Sequence, residues 1–134
     1  MRRALATFML LAGVTHAQIA PREAFWCQPS VFLALIEAAP VCGWAVEPVV
    51  RTRVEAMLEG AVGAVARLRG PEDARQWRQE LLREVRHRPE LTCQAFDGNG
   101  NEVLARLARP AAAAMVETYL ADAGRATSMT GRCM

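Results

Sequence analysis

Residues 48–69 read PVVRTRVEAMLEGAVGAVARLR, and this stretch decides the fold class. Val50, Val54, Met57, Leu58, Ala61, Val65 and Leu68 recur at steps of three and four residues, which puts them on one face of an α-helix. Arg51, Glu55 and Glu59 lie off that stripe. Pro48 suits the first helical turn, where its missing N–H leaves nothing unpaired. The spacing predicts a helix over Pro48–Arg69. Gly60 and Gly63 sit inside it with Ala56 and Ala64, although glycine in a helix interior costs about 1 kcal/mol against alanine. Such a small-residue strip implies close approach by another helix, within the chain or in a homodimer through the Gly60/Gly63 face.

The same punctuation continues on both sides. Upstream, Pro29 and Ser30 open an apolar segment, Val31 to Ala39, which Pro40 is expected to stop. The run 41–45 then reads as a turn. Downstream, Gly70-Pro71 breaks the chain, and a helix from Pro71 follows with Glu72 and Asp73 in its first turn, where acids suit the helix dipole. Its expected buried stripe is Ala74, Trp77, Leu81 and Val85, with Arg75, Arg78, Arg83 and Arg86 facing elsewhere. Pro89 to Phe96 reads as a short helix. Asp97-Gly98-Asn99-Gly100-Asn101 reads as a turn, with Asn101 as N-cap of a helix from Glu102 to Ala108. A last helix spans Pro110 to Ala123. Few aromatics with abundant Ala and Leu agree with helices over strands. The expected fold is an all-α, small bundle of four to five helices stapled by two disulfides.

The N-terminus carries a separate signal. Met1-Arg2-Arg3 is followed by an apolar run, Ala4 to Val14, and by Thr15-His16-Ala17. A basic start, a short apolar run and a small residue two before a terminal Ala form a secretory signal peptide. The apolar run is well short of the roughly 20 residues that span a bilayer. The expected organisation is a cleaved signal at 1–17 and a single helical domain at 18–134, periodic in its helices and without repeats. General secretory export fits better than twin-arginine export, since the residues after Arg2-Arg3 do not extend that pattern. No stable membrane insertion is expected after cleavage.

Removing the signal changes the charge balance. The chain has 16 basic residues, all Arg, against 14 acidic ones. Arg2 and Arg3 leave with the signal, so the mature chain is formally neutral. No basic excess then argues for nucleic acid as a partner. Arginine in place of lysine, with much alanine, points to a high-GC bacterial genome. All four cysteines, Cys27, Cys42, Cys93 and Cys133, lie in the mature part, and an even number in an exported chain reads as disulfides. None forms a C-x-x-C pair. If the first three long helices run up, down and up, Cys42 and Cys93 share one end of the bundle. A descending last helix delivers Cys133 to Cys27 at the other. The expected pairs are Cys42–Cys93 and Cys27–Cys133.

No catalytic, metal or cofactor constellation emerges. His87, the single mature histidine, ends a helix beside Arg86 and Arg88, where the dipole favours it. It has no nucleophile motif to serve. The Asp97 to Glu102 loop places Asp97, Asn99 and Asn101 as in a calcium loop, but Glu102 stands where glycine belongs and Ala108 where the bidentate glutamate belongs. Met129, Cys133 and Met134 are soft ligands whose thiolate a disulfide removes. Trp26, Trp44 and Trp77 read as core anchors. The layout resembles that of small, cysteine-bearing helical proteins exported by high-GC bacteria, a likeness that carries no residue role. The leading expectation is a periplasmic or secreted, non-enzymatic binding protein with an extracytoplasmic protein partner and no cofactor. The alternatives are a small enzyme or metal-binding protein using His87 or the Asp97–Glu102 loop, and an apolar-ligand carrier with a cleft between the Pro48 and Pro110 helices.

Overall fold

A computed structural model describes residues 24–130 and Cys133. The expected signal peptide and its cleavage point lie outside these residues. Among them there are six helices and no strand: α1 Cys27–Cys42, α2 Pro48–Arg69, α3 Pro71–His87, α4 Pro89–Ala95, α5 Gly100–Ala108 and α6 Ala111–Gly124. The expected four to five helices thus become six, since the short helices expected at Pro89 and Glu102 both form as elements of their own. A turn divides them, in which Gly98 takes a positive φ of 75°.

Helix α2 is the spine. Val50, Val54, Met57, Leu58, Ala61, Ala64 and Val65 are buried along it, each large aliphatic side chain contributing about 1.5–3 kcal/mol by leaving water. α3 returns after a single linking residue, Gly70, at φ 99°. A one-residue link leaves α3 only an antiparallel path along α2, and Arg78 of α3 meets Glu59 of α2 at 2.6 Å.

Helix α1 corrects one expectation. Pro40 does not end it; the helix runs on to Cys42. A proline forfeits one hydrogen bond and crowds the carbonyl four residues back, and only two helical residues follow here. The stop is made by Gly43, in the left-handed region at φ 74°. The amide of Trp44 closes back on the Ala39 carbonyl at 3.0 Å, as in a glycine-terminated helix end.

Two arginines of α2 set the course of α6. Arg53 donates to the carbonyls of Leu107 and Arg109 at 2.7 and 2.8 Å, where α5 gives way to α6. Arg67 donates to those of Ala123 and Ala126 at 3.2 and 2.7 Å, at the far end of α6. Cations satisfy helix-terminal carbonyls that have no partner of their own. Because both residues advance together, α6 lies parallel to α2. Gly60 lets them approach: a Cβ placed there would meet Leu120 Cδ2 at 2.5 Å. The small-residue strip is therefore used in part within the chain, while Gly63 faces open space.

The core has two centres. One gathers Leu35, Ile36, Val50, Val54, Leu104 and Leu107 from α1, α2 and α5. The other gathers Met57, Ala64, Val116, Tyr119 and Ala123 from α2 and α6, with Phe25 and Phe32 against it. Disulfides close the two ends. Cys42 bonds to Cys93, joining the end of α1 to α4. Cys27 bonds to Cys133, tying the C-terminal tail to the start of α1. These are the pairs that the expected helix directions give. Two disulfides point to an oxidising, extracytoplasmic environment. Among the described residues, no helix is long and apolar enough to cross a membrane.

Candidate functional site: a cleft between α1, α3 and α4

The seam between α2 and α6, where an apolar cleft is expected, is filled by Leu120 and Tyr119 packing towards Gly60. An open concavity lies elsewhere, a cleft of about 610 Å³ between α1, α3 and α4. Ser30, Val31 and Ala34 of α1 form one wall, and Trp77, Leu81 and Val85 of α3 the other. Leu91, Thr92 and Ala95 of α4 line it with Phe96 just beyond that helix, and Trp26 with Cys133 also border it. Glu80, Glu84 and Arg88 supply its charge.

The cleft exists because α1 and α3 do not fill the space between them. On α3, Ala74 and Leu81 are buried, while Trp77 and Val85 are only half-buried. α1 opposes them with the short side chains of Ser30 and Ala34. The apolar stripe of α3 is thus partly core and partly cleft wall. Leu91, 49 % exposed, is among the most exposed large apolar side chains described, and it too lies in the cleft.

The Trp26 wall is held from several directions. Tyr119 of α6 donates its phenolic O–H to the Phe25 carbonyl at 2.5 Å. The Ser30 hydroxyl donates to the Trp26 carbonyl at 2.6 Å. The Phe25 and Trp26 rings meet edge to face, centroids 5.1 Å apart, a favoured aromatic geometry. Cys27, the next residue, is fully buried and disulfide-bonded. Tyr119 is 7 % exposed, and burial pushes its phenol well above the ordinary tyrosine value, so it stays a donor throughout the neutral range. A wall fixed by this many contacts is in place before a ligand arrives, which lowers the cost of binding.

The residues singled out from the sequence are scattered. His87 is exposed at the last position of α3 and does not line the cleft. In the Asp97–Glu102 loop, Asn101 does not cap a helix: α5 starts one residue earlier, and Asn101 Oδ1 accepts the Ala45 amide at 3.1 Å. That bond ties the loop to the segment after α1. Glu102 pairs with Arg106 at 2.6 Å, one turn along α5. Among the described residues, no three His, Cys, Asp or Glu side chains converge as a metal site would need. Of the three tryptophans, Trp44 packs against Gly100, whereas Trp26 and Trp77 face the cleft.

No family model matches this chain, and no curated protein or solved structure matches it significantly.

Proposed function

We propose that this is a small, exported, non-enzymatic binding protein that holds its ligand in the cleft between α1, α3 and α4. In this reading the first 17 residues are a signal peptide removed on general secretory export from a bacterial cytoplasm. Residues 18–134 then act as one helical domain in the periplasm or outside the cell. The observation that carries the reading is the cleft itself: apolar walls, two half-buried indoles and a few charged groups, with a volume in the range of small-ligand sites. The anchored Trp26 wall and the disulfides at each end support a preformed site. Of the expected roles, the apolar-ligand carrier fits this geometry best, with the site on α1 and α3 in place of α2 and α6.

Native mass spectrometry of the protein isolated from its export compartment tests the proposal. The expected result is an intact mass beginning at Gln18 and a bound small molecule that Ala34→Trp, which fills the cleft, displaces. Equal occupancy of both proteins, or of neither, contradicts it.

A further inference from the structure

The charges around the cleft are unevenly matched. Elsewhere on α3, Arg75 pairs with Glu72, Arg78 with Glu59 and Arg86 with Glu37. Glu80 and Glu84 stand one helical turn apart on the edge of α3 that lines the cleft. Among the described residues neither forms an ion pair. Glu80 accepts only the neutral Gln76 amide, at 3.0 Å. Arg88 also lines the cleft, two turns beyond Glu80 towards α4. Among the described residues the lining thus carries two carboxylates against one guanidinium. Trp26 and Trp77 border the same space.

We propose that the cleft selects a hydrophobic organic cation: a protonated amine, a quaternary ammonium or a guanidinium on an apolar skeleton. This rests on the reading of the cleft as the binding site. The cationic head lies by Glu80 and Glu84, where charge-assisted contacts and the negative faces of the indoles act together. The skeleton lies along Val31, Ala34, Leu81 and Val85. A fatty acid is disfavoured, because its carboxylate would meet two like charges and only one compensating arginine. The concave shape favours a small molecule over a partner helix.

Tryptophan fluorescence and titration calorimetry at low salt, with sub-micellar decyltrimethylammonium, decanoate and decyl maltoside, test the inference. The cation is expected to bind about tenfold more tightly than the other two, since two partly exposed ion pairs act together. Glu80→Gln with Glu84→Gln removes that preference and leaves decyl maltoside binding unchanged. Equal affinity for all three probes overturns the cation assignment while the binding site stands. Saturable binding of an amphipathic leucine–lysine peptide, with no binding of the small cation, overturns it in favour of a protein partner. If neither the small probes nor the peptide binds saturably, the cation assignment and the binding-site reading both fall.

Discussion

Raising the pH above about 10 should destabilise this protein through a single side chain. Tyr119 is the one tyrosine in the chain, there is no lysine, and all four cysteines are in disulfides. Arginine stays protonated throughout this range, so the alkaline limb of the stability curve belongs to one phenol. Below the ordinary tyrosine value of 10.0, folded and unfolded chains both hold the proton and stability does not depend on this group. Above it the unfolded chain releases the proton, while burial keeps it on Tyr119 in the folded one. The unfolded state then binds fewer protons, and stability falls with rising pH until the folded phenol itself titrates. The slope is about 1.4 kcal/mol per pH unit, or roughly 2 kcal/mol lost by about pH 11.5. Urea unfolding curves between about pH 9 and 11.5 read this loss as a falling midpoint, with phenolate absorbance appearing only as the chain unfolds. Tyr119→Phe should lose about 1 kcal/mol at neutral pH, from the hydrogen bond to Phe25, and abolish the alkaline slope. A Tyr119→Phe variant that keeps the slope, or a native protein whose midpoint stays flat to about pH 11.5, refutes the reasoning.

Other perturbations follow from the same packing. Replacing Cys42 and Cys93 together by alanine opens a loop with a sequence separation of 51 residues and should cost about 4 kcal/mol in urea titration, on the chain-entropy account. A loss under about 1 kcal/mol would show that the bond constrains little. Gly100→Ala drives a methyl group into the Trp44 indole and should cost about 1–3 kcal/mol, read as a lowered melting temperature; an unchanged one would contradict the contact. Gly63→Ala meets open space inside α2 and should stabilise by up to about 1 kcal/mol, whereas a loss of stability would mean that face is already covered.

Much of the fold is legible because its signals are local. The stripe on α2, the Gly70-Pro71 break and the acids opening α3 each depend on a few neighbouring residues. The disulfide pairs follow from helix direction, and direction follows from short links. Pro40 misleads because proline is a breaker only where enough helix follows to need its lost hydrogen bond, and α1 ends at Cys42. Asn101 misleads because its side chain finds a partner in Ala45, a long way off in sequence. The cleft is the least legible feature. Periodicity says that Trp77 and Val85 share an apolar face with Leu81, but not whether the facing helix fills it. That depends on Ser30 and Ala34 of α1 lying opposite, a property of three-dimensional packing. One clue was present: Val31 to Ile36 is apolar almost all round, more than a single core-facing stripe requires. The arginine clamps at the ends of α6 are equally hidden, since nothing in the sequence near Arg53 or Arg67 points to carbonyl partners more than fifty residues away.

The central claim is that the α1–α3–α4 cleft is where this protein binds. The three tryptophans offer a direct measurement, because Trp26 and Trp77 line the cleft while Trp44 packs on Gly100 outside it. In proton–nitrogen correlation spectra, titrating decyltrimethylammonium should shift the indole signals of Trp26 and Trp77 saturably and leave that of Trp44 in place. A saturable shift confined to Trp44, or no shift of the two cleft indoles with a charged or neutral decyl probe, would contradict the account.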